Sequence, residues 1–503
     1  MKLNRKAKNE LTKTTSFEGA TAYVQKPEVE LVRLVLTSMF GEDSFYESGD
    51  DKSNRLSSLV DSCVKTNKEE FVAKLAVYAR NKMYMRTISI ALIVELAKSL
   101  RKYNKTLPTL RSAVCKTISR ADELAEIYSY ALTIFGSKNS VPQAIKKGTA
   151  DAFNKFDEYQ LAKYNRSNVV KLKDVLKITH PTPKDNKQSK IFNRLLTDSL
   201  KTPDTWETKI STKGSTKENW QEVADNPKTG FMALLRNLNN FLNHNIDLTN
   251  VIKRLSSHEE VKKSKQFPYA FYSAIKAVKS TNPYLTPKLL VALETALENS
   301  VDNIPNIGNV VSIIDVSASM GSTVSNKSKI SCAEIAIVMG CATVISAIKH
   351  GNSGFISLFA TDSVSGKIDK NLSLGKLIDD CYRVFDSGKL GGGTNLISAY
   401  KNLQGRVFNI DSVLVFTDMQ ISSFSTNYFY YDDNNYSNLK VEEYINLSND
   451  ASKIVFDLRG YSPNTLTEYQ GWMQLSGYSD KLFTFLKNKN SLSIIKDINK
   501  ITL

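Results

Sequence analysis

The residues best placed to do chemistry lie in the run Asn309-Val-Val-Ser-Ile-Ile-Asp315-Val-Ser317-Ala-Ser319-Met-Gly321, an apolar stretch ending in an Asp and followed by two Ser at alternate positions. An extended segment sends every second side chain to the same side, so one carboxylate and two hydroxyls can aim at a single point. Oxygen donors of this kind suit a hard divalent cation such as magnesium. Two further donors follow downstream: Thr394 in Gly391-Gly-Gly-Thr-Asn395, and Asp418 closing Ser412-Val-Leu-Val-Phe-Thr-Asp418. Alone, the Asp-x-Ser-x-Ser piece reads equally well as a capped strand-to-helix turn, because Asp and Ser are ordinary turn and cap residues. The Gly-rich loop with its Thr and the strand ending in Thr-Asp, in this order, weigh the reading toward a metal.

The set Asp315, Ser317, Ser319, Thr394 and Asp418 resembles the metal-ion-dependent adhesion site of von Willebrand factor A domains, whose D-x-S-x-S…T…D pattern is complete here. The resemblance implies Mg2+ or another divalent cation. A metal bound directly by three side chains, with others reaching it through water, keeps one position for the carboxylate of an acidic protein partner. Competing chemistries lack their residues. The sequence has no GxxxxGK[ST] phosphate loop and no GxGxxG opening a helix. Ser317 and Ser319 lack the glycine context of a nucleophile elbow. Of the histidines His180, His244, His258 and His350, only the last falls in this part of the chain. A non-enzymatic protein is expected.

The elements that must position these residues are legible as texture. From about residue 305, short apolar runs (Val310–Ile314, Phe355–Phe359, Val413–Phe416, Ile454–Phe456) alternate with helical stretches (Ser331–Lys349, Leu374–Phe385, Leu396–Leu403). Alternating strand and helix predicts a parallel, doubly wound α/β sheet with its ligand site at the carboxyl ends of the strands, where Asp315, Thr394 and Asp418 fall. Pro305 and Gly308 mark the junction. A Tyr/Asn/Asp segment, Ser425 to Asn438, is expected to overhang the metal face, as a mobile polar loop or as a ligand-recognition element. Residues 27–300 instead read as helix after helix. Glu70–Arg80 puts Val72, Leu75, Ala76 and Ala79 on one face, and Gly230–Leu242 does the same with Leu234, Leu235, Leu238 and Leu242. Polar or Pro/Gly breaks fall at Gly41–Asp51, Lys105–Pro108, His180–Lys187 and Thr202–Ser215. Helix pairs stacked as in HEAT-like solenoids are expected, without a clean repeat period. The expected domains are 17–300, helical, and 305–503, α/β.

Charge divides the chain in the same way. The net charge is +16, yet residues 301–503 carry 18 Lys and Arg against 19 Asp and Glu, so the other 300 residues hold 49 basic against 32 acidic. A basic helical part beside a neutral α/β part points to a polyanion for the first, although a merely Lys-rich solvated surface produces the same totals. The five cysteines (Cys63, Cys115, Cys332, Cys341, Cys381) are scattered, odd in number and without a CxxC. They read as reduced, buried thiols. The basic N-terminus lacks a following apolar h-region and no stretch is read as a membrane span, so a soluble, cytoplasmic protein is expected.

Several stretches resemble the TROVE-module Ro ribonucleoproteins, the Ro60 group and its bacterial and phage relatives. They are Val141-Pro-Gln-Ala-Ile-Lys-Lys-Gly148, Tyr159-Gln-Leu-Ala-Lys-Tyr-Asn-Arg166, Leu172-Lys-Asp-Val-Leu…His180-Pro181, Ala233-Leu-Leu-Arg-Asn-Leu238 and Phe456-Asp-Leu-Arg459…Gln474-Leu-Ser-Gly-Tyr-Ser479. The resemblance implies a monomeric ring of HEAT-like helical repeats closed by the A domain. It also implies binding of small structured RNA of the Y type on the outer basic surface, capture of the single-stranded 3′ ends of misfolded RNA in the ring, and a place for an exoribonuclease or another acidic protein as partner. Lys163 and His180 match the Y-RNA-contacting positions, and Arg166 lies one position from the family's Arg. Lys146, Lys147, Lys171 and Lys173 complete a short stretch able to neutralise several phosphates. Arg236 suits either a contact to single-stranded RNA or an ion pair with an acidic neighbour, and His180 also suits a plain helix end. The rival reading is a metal-dependent protein-binding adaptor whose positive charge has no RNA role.

Overall fold

The strands of the computed structural model are β1 (Thr12–Thr15), β2 (Thr21–Val24), β3 (Val310–Asp315), β4 (Gly354–Phe359), β5 (Ser363–Lys367), β6 (Ser412–Thr417), β7 (Ser452–Asp457) and β8 (Trp472–Ser476). The structure describes residues 12–37, 42–44, 46–165, 169–202, 205–281, 286–325, 328–422, 451–467, 471–477, 482–483, 486 and 494–503. The segment Ser425 to Asn438 and Arg166 lie outside the described residues. The chain packs as two compact units, one made of residues 1–37, 42–49 and 304–493, the other of 38–41, 50–303 and 494–503.

In the first unit, β3, β4 and β6 are buried at every residue because both faces of the sheet are covered, which is why they read as continuous apolar runs. The strand order is β5-β4-β3-β6-β7-β8, parallel throughout except for β5, which runs antiparallel along the edge. The two faces divide by alternate residues. Val311, Ile313, Val413 and Val415 pack with Leu396, Tyr400 and Leu403 of the helix Leu396–Leu403. Ile314 and Phe416 turn to the opposite face, against the helix Cys332–Lys349, where a Cβ on Gly340 would stand 2.5 Å from Ile314 Cδ1. That helix is long and apolar enough to cross a membrane by length and composition, contrary to the sequence expectation, and 89% of it is buried in this core.

The expected boundary at residue 17 differs from the packing. The helix Pro27–Thr37 lies against β8 within the α/β unit. Its Arg33 is buried with Asp457 at the end of β7, Nε to Oδ2 2.8 Å, and also donates to the Tyr461 carbonyl at 2.7 Å. At the other end, the helix Ile494–Asn499 packs on Glu69–Asn81 of the helical unit.

The second unit is all helix among its described residues. Helices two apart in sequence stack on one another: Glu69–Asn81 on Leu110–Thr117, that helix on Gln143–Phe153, and the last on Leu172–Thr179. The intervening helices Thr87–Lys102 and Glu123–Phe135 form a second row. Two rows of stacked helices are the arrangement of a helical-repeat solenoid. Contact is tight at Gly148, where a Cβ would lie 2.5 Å from the Arg111 carbonyl oxygen and 2.6 Å from Val114 Cβ. Glu123, fully buried, joins the rows by accepting from Arg80 and Arg86 and from the Ser119 and Arg120 amides. The expected helix Gly230–Leu242 divides into Phe231–Arg236 and Leu238–Asn243 at the buried Asn237, whose backbone amide and side-chain amide both donate to the Ala233 carbonyl. The stretch Thr202–Ser215, read as a break, contains the helix Trp206–Lys213, started by the Thr205 side chain on the Thr208 amide.

Candidate metal centre

Register brings the donors together. Ile314 of β3 pairs with Phe416 of β6, so Asp315 and Thr417 leave the sheet side by side. The Thr417 hydroxyl donates to Asp315 Oδ2 at 2.6 Å and accepts the Met419 amide at 3.1 Å. Asp315 Oδ1 accepts the Ser317 amide at 3.0 Å, which fixes the turn after β3, and the Ser317 and Ser319 hydroxyls lie 3.3 Å apart. The Gly-rich loop is drawn in by the Ala318 amide, which donates to the Gly392 carbonyl at 3.0 Å. Gly391 has φ +79° and a Cβ there would sit 2.6 Å from Thr361 Oγ1, so this turn requires glycine. The loop delivers Thr394, whose carbonyl accepts the Ser422 amide at 2.9 Å from the segment that follows Asp418.

All five expected donors are buried: Asp315, Ser317, Ser319, Thr394 and Asp418. Two carboxylates are therefore held out of water at one sheet edge, and among the described residues no Lys or Arg hydrogen-bonds to either. Burial pushes the Asp315 carboxyl up to about 6. Burial, joined by the Asp315 charge, pushes Asp418 up to about 7. Asp418 Oδ1 accepts the Gln420 amide at 3.1 Å, while its Oδ2 is buried without a hydrogen-bond partner. An orphaned carboxylate oxygen beside a second buried carboxylate and paired hydroxyls fits a hard cation, whose charge would offset both. The donor set of two Asp, two Ser and one Thr is oxygen only and unlike a zinc site, and among the described residues no group of three or more His, Cys, Asp or Glu could hold a metal ion. Thr417 is a residue that the sequence reading missed. Its signal was its place immediately before Asp418 at the end of an apolar strand.

The expected basic residues distribute over neighbouring helices of the second unit. Lys146 and Lys147 lie on Gln143–Phe153, which packs against Leu172–Thr179 carrying Lys173, with Lys171 just ahead of it. Lys147 and Lys171 are exposed and Lys146 is half-buried. Lys163 lies 3.8 Å from Glu207 and Lys173 2.5 Å from Asp198, so both already have an anionic neighbour. His180 ends its helix in the left-handed conformation, φ 47°, with its amide on the Leu176 carbonyl and its side chain exposed. Arg236 is exposed in the last turn of Phe231–Arg236, and no ion pair joins it to an acidic neighbour among the described residues.

A two-row helical module and a doubly wound α/β unit with an oxygen-donor centre at its strand ends define the class of protein. The TROVE domain matches residues 35–199 and 199–303, and the chain belongs to the TROVE domain family. It is 24% identical over 362 residues to telomerase protein component 1 of Mus musculus, covering 54% of this chain and 13% of that protein. The corresponding protein of Rattus norvegicus is 24% identical over 343 residues, with 51% and 13% covered. The chain thus spans only about 13% of the length of these relatives. Among solved structures, the Ro (RSR) protein of Deinococcus radiodurans superposes with a TM-score of 0.63 at 14% identity, covering 92% of this chain and all of that one.

Proposed function

We propose that the chain is a non-catalytic, cytoplasmic RNA-binding protein of Ro type. Its helical module takes small structured, Y-like RNA through phosphate contacts, and single-stranded 3′ ends of misfolded RNA by a second mode. The observation that carries this reading is the charge of the TROVE module: the chain's excess of basic residues lies outside 301–503, and among the described residues the ammonium groups of Lys146, Lys147 and Lys171, on adjoining elements, form no ion pair within 4 Å. Duplex RNA offers shape and backbone more than readable base edges, which suits such a surface. The α/β unit is proposed to hold Mg2+ on Asp315, Ser317, Ser319, Thr394 and Asp418. Bound there, the cation supplies a positive charge that accepts a carboxylate, which makes an exoribonuclease or another protein with an exposed acidic side chain a fitting partner.

Purified full-length protein, measured at 260 and 280 nm before and after a high-salt wash, tests the RNA reading. Nucleic acid that is retained at low salt and released at high salt supports it, since phosphate contacts give affinities that fall steeply with salt. Protein free of nucleic acid at low salt that also fails to shift a small structured RNA leaves the protein-adaptor reading. For the metal, Asp315→Ala should abolish Mg2+ binding in calorimetry while the chain stays folded.

A further inference from the structure

Arg459, two residues past the end of β7, is buried, with 8% of its surface exposed. The strand order puts β6 between β7 and β3. Even so, Arg459 Nη2 donates to the turn that follows β3, reaching Ser322 Oγ at 2.6 Å, the Ser322 carbonyl at 3.3 Å and the Thr323 carbonyl at 2.7 Å. One residue earlier, the Leu458 amide still bonds the Thr417 carbonyl of β6 at 3.0 Å. The guanidinium therefore crosses the end of β6, where Asp418 stands. Ser322 Oγ passes the contact on to the donor turn by donating to the Ser319 carbonyl at 2.8 Å.

All three of these acceptors are neutral. Arg459 Nε is buried without a hydrogen-bond partner, and among the described residues no Asp or Glu forms an ion pair with the guanidinium. Asp457, the closest carboxylate in sequence, is already committed: its Oδ2 accepts from Arg33 and its Oδ1 accepts the Arg459 and Gly460 amides. The Cys332 thiol beside Arg459 is pushed up to about 12 by burial, so it supplies no negative charge. A buried guanidinium without an anion is unfavourable. At the same strand end Asp418 Oδ2 is orphaned as well. A cation on the carboxylates satisfies Asp418 and leaves Arg459 beside still more positive charge, so the loaded centre lacks an anion.

We propose that Arg459 is the anion-recognising residue of this centre: it takes one oxygen of a carboxylate from an acidic side chain of a protein partner, while the other oxygen goes to the cation. This rests on the metal reading of Asp315, Ser317, Ser319, Thr394 and Asp418. A carboxylate fits better than the phosphodiester of an RNA. Residues 301–503 carry 18 Lys and Arg against 19 Asp and Glu, which gives no field to gather a polyanion, and a planar two-oxygen group can span a cation and a guanidinium at once. Metal and carboxylate then bind cooperatively, because each supplies the counter-charge that the other needs.

Mn2+ in place of Mg2+ tests this on the full chain, with affinity read from the free-ion resonance in sodium chloride and in sodium acetate of equal ionic strength. Acetate should tighten Mn2+ on the wild type by about fivefold, the lower end of ordinary coupling between two ligands. Arg459→Gln should lose that effect and bind Mn2+ alone about fivefold more tightly, the scale of one charge removed from a divalent ion roughly 8–10 Å away in a water-like medium. Arg459→Lys, which keeps the charge without the planar guanidinium, should lose most of the acetate effect; a full effect there overturns the proposal. Arg459→Gln matching the wild type in both salts, while Asp315→Ala loses Mn2+, overturns it and leaves the metal site standing. Weaker Mn2+ binding by Arg459→Gln, equal to that of Ser322→Ala, means that Arg459 only braces the donor turn, which also overturns it. Dimethyl phosphate tightening Mn2+ as much as acetate overturns the carboxylate assignment. Undiminished Mn2+ binding by Asp315→Ala removes the metal reading itself.

Discussion

Arg33 and Asp457 stand 424 positions apart in sequence and form a fully buried ion pair, with Arg33 Nη2 2.7 Å and Nε 2.8 Å from the same carboxylate oxygen. The other oxygen of Asp457 accepts the Arg459 and Gly460 amides, so the carboxylate is saturated only while Arg33 is present. Glu30 adds a second acidic neighbour, 3.3 Å from the guanidinium.

Arg33→Ala is accordingly expected to destabilise the chain by about 3–5 kcal/mol, because it strands Asp457 as an uncompensated buried charge. Chemical denaturation of the variant against the wild type measures this. Adding Asp457→Asn to Arg33→Ala should recover part of the loss, since the stranded charge disappears.

The metal centre should titrate. With Asp315 raised to about 6 and Asp418 to about 7, the folded metal-free protein holds protons between the ordinary Asp range and neutrality that the unfolded chain has already released. Its stability therefore falls as pH rises through that window. Mg2+ must displace those protons, so its apparent affinity should rise from about pH 5.5 to about pH 7.5 and level off above. Calorimetry in two buffers of different ionisation enthalpy reads the protons released. Thr417→Val, which removes the donor to Asp315 Oδ2, should push the carboxyl higher still and move the rise in affinity to higher pH.

The ion pairs of the helical unit set the expected order among RNA-contact variants. Lys163→Ala with His180→Ser should cost roughly 1–3 kcal/mol toward a small structured RNA, the scale of a few charge-assisted hydrogen bonds, and spare a single-stranded 3′ tail. Glu207→Gln should act in the opposite direction, because it frees Lys163 from its carboxylate neighbour. Competition binding with the two kinds of RNA distinguishes these outcomes.

Gly148→Ala tests the stacking of the helical rows. The added methyl meets the Arg111 carbonyl oxygen at 2.5 Å, and backbone cannot rotate away as a side chain can. A loss of about 1–3 kcal/mol is expected, visible as a lower thermal midpoint.

The interior of the α/β sheet was legible because β3, β4 and β6 are buried on both faces and read as apolar runs, and Asp315 and Asp418 fall at the ends of β3 and β6. The edge strand β5 was not legible, since Ser363–Lys367 has only one buried residue among five and gives no apolar run. The hairpin at Thr12–Val24 and Tyr46 escaped for a different reason. Their roles depend on contacts to residues about 400 positions away, which local periodicity cannot encode. Likewise, nothing in the spacing of Lys163 or Lys173 announces Glu207 or Asp198, which come from other helices. The residue types pointed to a basic surface, and their ion pairs became visible only once the helices were stacked.

The interleaving of the chain between its two units has a consequence for dissection. A cut at residue 303 yields an N-terminal piece carrying the hairpin and Arg33 together with most of the helices, and a C-terminal piece carrying Asp457 together with the helix Ile494–Asn499. Each piece then holds half of the Arg33–Asp457 pair. No single cleavage releases either unit whole, so a protease that nicks this junction should leave a stable two-chain particle, and a gene fragment beginning at 305 should encode an α/β unit with a buried acid facing an empty slot.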